Sequence, residues 1–157
     1  MTTLQGNNPN SPPPPPAWFN KMMLWMLRSP LHGIVSKDIM LITIAGRKSG
    51  KKYTLPVSYV REGNKVICST DRAVRLWWRN LRGGANVTLW LRGKEVTGQA
   101  TVIYDDPEAI AKGIETMLKY VPRDAKYYNV RLDGGKRPLA EDIAQSAQHR
   151  VIVEIKI

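Results

Sequence analysis

A chain of 157 residues, 43% of them hydrophobic, is long enough to bury one core and short enough to be one domain. Its formal net charge of +11 points to anionic partners: nucleic acid, a membrane surface or a polyanionic small ligand. One cysteine, Cys68, excludes an intramolecular disulfide, and with two histidines, His32 and His149, a Cys/His metal cluster lacks its ligands.

Residues 1–16 are rich in Asn, Ser and Pro and end in Pro12 to Pro16. They offer nothing to bury and are expected to form a disordered or polyproline tail, with a single domain over 17–157. The start lacks the cationic and apolar regions of a signal peptide, and no run reaches the ~18 to 20 apolar residues of a spanning helix. A cytoplasmic protein is expected. Residues 17–29 read as a helix that Pro30 stops, apolar around most of its circumference, with Trp18 and Trp25 beside Lys21 and Arg28. Such a helix packs on the domain with part of its face free, or lies peripherally against the inner face of the cell membrane.

Ile39–Ala45 has the length and continuity of a buried strand, and Tyr53–Val60 places Tyr53, Leu55, Val57 and Tyr59 on one face. Pro56 inside that run marks an edge or a bulge. Between the two strands, Gly46-Arg47-Lys48-Ser49-Gly50-Lys51-Lys52 forms a hairpin tip. It gathers cations, a hydroxyl and backbone N–H groups, which suits a phosphate or carboxylate; equally, its lysines could serve solubility alone. It is not a P-loop. Ala45 and Lys52 stand where that motif has a glycine and a Ser or Thr, and a strand follows where it needs a helix.

Gly63-Asn64 turns the chain into Lys65–Thr70, where Cys68 reads as a buried, inert thiol. Over 71–82, Asp71 is expected to cap a helix with Val74, Trp77, Trp78 and Leu81 on one face and Arg72, Arg75, Arg79 and Arg82 on another. Asn86–Arg92 and Glu95–Tyr104 make a hairpin. Asp106 and Pro107 open a helix with the stripe Ile110, Ile114, Met117 and Leu118. Tyr120–Pro138 reads as irregular, Leu139–Ala147 as a short helix and Arg150–Ile157 as the last strand. Six strands, mostly hairpin-linked, predict a mainly β, α+β fold: a small antiparallel barrel with helices packed outside.

Leu41-Ile42-Thr43-Ile44-Ala45-Gly46-Arg47-Lys48-Ser49-Gly50, then Pro56, Ser69, Trp77-Trp78-Arg79-Asn80-Leu81 and Val87 resemble the deazaflavin-dependent nitroreductase family. That family belongs to the split β-barrel flavin and deazaflavin oxidoreductases, and the resemblance is clearest over residues 39–103. It implies binding of coenzyme F-420, a hydride-donating ring with a phospholactyl-polyglutamate tail. Arg47, Lys48, Ser49 and Gly50 would hold the phosphate and tail carboxylates, with Lys51 and Lys52 as reserve charge. Pro56, Ser69 and Thr70 would line the ring, and Trp77 and Asn80 would close the site. An acidic tail needs such a cationic cradle, and a hydride donor needs positioning but neither metal nor nucleophile. Tyr127 and Tyr128 are the candidates to give a proton or hydrogen bond to the substrate, or else they cover the barrel mouth.

Departures are visible. Tyr53 stands where the family usually has an arginine, the turn Thr70-Asp71-Arg72-Ala73 is short and carries an acid, and the family's Tyr-Pro-x-Tyr-x-x-Tyr pattern is kept only in part. The function expected is hydride transfer to a lipophilic acceptor, a quinone or a nitro or unsaturated compound, by a monomer or homodimer. Two alternatives use the same barrel. One is a carrier of FMN, haem or fatty acid, motivated by the altered turn; the other is a nucleic-acid-binding barrel, motivated by the charge and the four arginines.

Overall fold

Alternation of inward apolar and outward polar residues lets a sheet of short strands close on itself and leave few edges. The computed structural model describes residues 17–29 and 37–157. Its strands are β1 (Ile39–Ala45), β2 (Lys52–Glu62), β3 (Lys65–Asp71), β4 (Ala85–Leu91), β5 (Lys94–Ile103) and β6 (Arg150–Lys156). They form a closed antiparallel barrel in the order β1-β2-β3-β6-β5-β4. Outside it pack α1 (Ala17–Arg28), α2 (Pro107–Tyr120), α3 (Ala140–Ala147) and two 3-10 helices, Leu76–Leu81 and Pro122–Tyr128. The expected tail over 1–16, Pro30 and His32 lie outside the described residues.

Met40, Ile42, Ile44, Val66, Cys68, Leu89, Val153 and Ile155 fill the barrel. A second cluster forms outside, where Ile67 and Ile152 meet Ile110, Ile114, Met117 and Leu118 of α2. That stripe is the one the 3.6-residue spacing predicts. Helix α1 covers a third surface, with Met23 against Leu41 and Trp90. It leaves Trp18 and Trp25 both 64% exposed.

The barrel wall opens between β2 and β3. From Lys52 to Ser58, β2 pairs with β1, but it pairs with β3 only from Tyr59 to Glu62. Strand β3 meanwhile stays with β6 as far as Asp71. The first half of β2 and the last half of β3 therefore diverge. Pro56 lies on the diverging half, where a missing N–H costs no ladder bond toward β3, so the expected edge is real.

The helix expected over 71–82 is shorter than the periodicity implies. The Asp71 carboxylate accepts from Ala73 N and Val74 N, both at 2.9 Å, and closes a local turn in place of a cap. Arg75 is extended, and only Leu76–Leu81 winds, as a 3-10 helix. Trp77, Trp78 and Leu81 are buried as expected, but Val74 is 40% exposed. Of the four arginines only Arg79 lies within that 3-10 helix, so they form no common helical face. Arg75 turns into a cavity, while Arg79 and Arg82 lie over the Trp78 ring. The stretch Tyr120–Pro138, read as irregular, contains the 3-10 helix Pro122–Tyr128 and a single bridge between Leu132 and Pro138.

Candidate functional site

The hairpin tip is a tight, hydrogen-bonded loop. Gly46 N donates to Lys51 O at 2.9 Å, Gly50 N to Gly46 O at 2.8 Å, and Lys51 N to Ser49 Oγ at 3.2 Å. Gly50 sits at φ +66°, and a Cβ on Gly46 would come within 2.8 Å of Ser49 Oγ. The turn itself therefore favours glycine at 50, while a side chain at 46 would have to displace the Ser49 hydroxyl. Arg47, Lys48, Lys51 and Lys52 are exposed around it.

This tip is fastened to the tryptophan turn. Arg47 N donates to Asn80 Oδ1 at 3.0 Å, and Arg47 Nη1 to Arg79 O at 3.4 Å. Asn80 Nδ2 in turn donates to Trp77 O at 3.1 Å and to the Tyr53 hydroxyl. Tyr53, in the place of an expected arginine, thus helps hold the junction. Burial raises its phenol pKa, and the Asn80 contact lowers it in part.

Beside the junction, at the split between β2 and β3, lies a cavity of about 520 Å³. One wall is apolar, made by Phe19 and Met23 of α1 with Ile39, Pro56, Val57 and Trp77. The opposite wall is polar: Ser69, Thr70, Arg75, Asp124, Tyr128 and Arg150. Arg150 organises it. Its Nε donates to Ser69 Oγ at 3.0 Å, its Nη1 to Tyr127 O at 3.4 Å, and its guanidinium lies 4.0 Å above the Tyr128 ring. Burial lowers the Arg75 pKa, helped by the repulsion of Arg150 and opposed by Asp71. Burial raises the Tyr128 phenol, against the pull of Arg150. Trp77 Nε1 is buried without a hydrogen-bond partner among the described residues.

The residues singled out in the sequence thus fall into two adjoining groups. Pro56, Ser69, Thr70, Trp77, Tyr127 and Tyr128 line the cavity. Arg47, Lys48, Ser49, Gly50, Lys52 and Asn80 form the tip cluster outside the cavity wall, joined to it through the Asn80–Trp77 bond. Sequence reasoning missed Arg150, Asp124 and Ser58; α1, expected to pack on the barrel with part of its face free for an apolar substrate, lines the cavity with Phe19 and Met23. Arg150 opens a strand that also carries Glu154 and Lys156, so neither it nor Asp124 carried a distinguishing signal.

A profile of the F420H(2)-dependent quinone reductase family matches residues 29–139. The chain belongs to this family. It is therefore a deazaflavin-dependent oxidoreductase, and a quinone acceptor fits the family's description. Two solved structures agree on the fold. One, described as a domain-swapped dimer, is 18% identical, with a TM-score of 0.55 and coverage of 88% of this chain and 97% of that one. The other, an F420-H2 dependent reductase (FDR-A), is 19% identical, with a TM-score of 0.51 over 75% of this chain and 94% of that one. The split barrel expected from the resemblance is thus the fold of this chain.

The residues present fit the coenzyme's chemistry. Four exposed cations crowd one tight tip, as an acidic tail requires, and the cavity offers aromatic and apolar surface from Phe19, Val57 and Trp77. Among the described residues no helix is long and apolar enough to cross a membrane.

Proposed function

We propose that the split cavity is where this quinone reductase brings deazaflavin and quinone together, and that the 46–52 tip holds the coenzyme's acidic tail. The observation that carries this reading is the Arg47–Asn80–Trp77 chain of hydrogen bonds, which makes the cationic tip and the cavity wall one continuous piece. Arg47 and Lys48 would pair with phosphate and carboxylates, and the Ser49 hydroxyl on the turn held by Gly50 would complete the cradle. Lys52 adds charge at the base of the tip. Pro56, Ser69, Thr70 and Trp77 would flank the ring.

Bound in its reduced form, the deazaflavin would supply the hydride, so the chain's own residues have to orient the reactants, exclude water and supply a proton. Arg150 fixes Ser69 Oγ and the Tyr127–Tyr128 corner, which would set the quinone against the polar wall. The apolar wall from Phe19, Met23 and Val57 would exclude water from the reacting faces. Tyr127 and Tyr128, which line the cavity beside Arg150, would serve as hydrogen-bond donors to the acceptor.

Replacing both cations, Arg47→Ala with Lys48→Ala, is expected to weaken coenzyme binding at least tenfold while the barrel melts unchanged. A fluorescence titration measures it; unchanged affinity removes the tip from the site. A lipophilic acceptor also gives α1 a second role. Its exposed Trp18, Met22 and Trp25, beside Lys21 and Arg28, have the chemistry of a helix resting on an anionic membrane face, the cavity mouth on its other side. As assembly we adopt the homodimer, because a protein of this fold is described as a domain-swapped dimer.

A further inference from the structure

Reduction of a quinone to a hydroquinone adds a hydride and a proton. The hydride brings the electron pair, and the oxygen that gains charge must then be protonated. We infer that Asp124 delivers that proton. The inference rests on the reading of the split cavity as the quinone site. The carboxyl O–H bond breaks, a phenolic O–H bond forms, and the carboxylate is reloaded from water at the cavity mouth.

Asp124 is the one buried carboxyl among the described residues, 8% exposed and on the polar wall. The other acid on that wall, Asp71, is committed to the backbone N–H groups of Ala73 and Val74 and so is held as an acceptor. The tyrosines are poorer sources. Tyr128 is buried, which tightens its hold on its proton, and its ring faces Arg150. Tyr127 is 45% exposed, with the Lys126 ammonium 5.0 Å from its ring centre.

The surroundings of Asp124 favour both protonation states in turn. Burial raises its pKa, the Ser58 hydroxyl, Arg123 and Arg150 pull it down, and Asp38 pushes it up. Arg123 is itself ion-paired with Asp38, which divides its attraction between two carboxylates. A quinone filling the cavity displaces water and strengthens the burial effect, loading the acid before transfer. Once the proton has left, the new carboxylate has Arg123 at 4.0 Å and the field of Arg150 to stabilise it.

The test compares wild type with Asp124→Asn and Asp124→Glu, using reduced deazaflavin and a water-soluble quinone in single turnovers. Wild-type rate is expected to fall as pH rises through the raised carboxyl pKa. Asp124→Asn loses that limb and slows about 100-fold with unchanged coenzyme affinity, and Asp124→Glu recovers part of both. In the free protein, carbon NMR should find the Asp124 carboxyl titrating above ordinary aspartates. A raised acid costs folding stability once pH rises past its folded pKa, so Asp124→Asn should melt no lower than wild type at neutral pH. An Asn variant that keeps rate and limb overturns the assignment. Asn20→Trp, which crowds the cavity from α1, separates the two readings. If it leaves quinone reduction intact, the cavity is not the site; if it blocks reduction while Asp124→Asn does not, Asp124 alone falls.

Discussion

Cys68 illustrates how far a single residue can be read from its neighbours. It follows Val66 and Ile67 on β3, points into the barrel, and burial pushes its thiol up to about 12. A thiol this buried and this basic is expected to resist alkylation by iodoacetamide at mildly alkaline pH and to react only after unfolding. Mass spectrometry of native and denatured samples checks it, and rapid labelling of the native protein would contradict the packing. Arg150 teaches the opposite lesson. Nothing at the start of an apolar strand announces that its side chain will bond Ser69, 81 positions earlier, and stack on Tyr128. Tyr53 is similar: a departure from the family pattern in sequence, an acceptor for Asn80 in space.

At the scale of elements, local signals decided most of the outcome. The strands begin and end within a residue or two of where alternation and turn residues place them, and Asp106 caps α2 by accepting from Ala109 N at 3.1 Å. The stretch 71–82 departs because Asp71 closes its own turn and Arg75 is extended, which leaves only Leu76–Leu81 to wind. Gly113 in α2 offers a test of packing against propensity. Alanine there gains about 1 kcal/mol of helix propensity, but its Cβ would lie 2.6 Å from Ile152 Cγ1 on β6. Overpacking of this kind costs about 1–3 kcal/mol, so Gly113→Ala is expected to lower the melting midpoint. Thermal unfolding by circular dichroism measures it, and a rise would mean that α2 can lift away from β6 freely.

For the whole molecule, the net charge of +11 resolves into separate uses. One group of cations rings the hairpin tip, a second lines the cavity, and Arg79 and Arg82 stack on Trp78. The arginine face that motivated a nucleic-acid reading is therefore absent. Helix α1 supplies the molecular-scale prediction. Vesicles containing anionic lipid should sediment with the protein at low salt. Trp18→Ala with Trp25→Ala should cut the bound fraction several-fold while catalysis with a soluble quinone persists. Equal sedimentation of the double variant would remove the helix from any membrane contact.

The amino-acid sequence by itself determined the strands, the barrel, the inert cysteine and the cationic tip, because these depend on residues a few positions apart. It also carried the coenzyme, through a motif pair specific enough to point to the family. Tertiary structure alone decided where the barrel splits, since that depends on β2 exchanging partners midway. It alone assembled the polar wall, because Ser69, Asp124 and Arg150 come from three distant segments that meet only after β3 and β6 pair. A carboxyl acquires an unusual affinity for its proton from what covers it, and the order of residues along a chain does not say what will cover what.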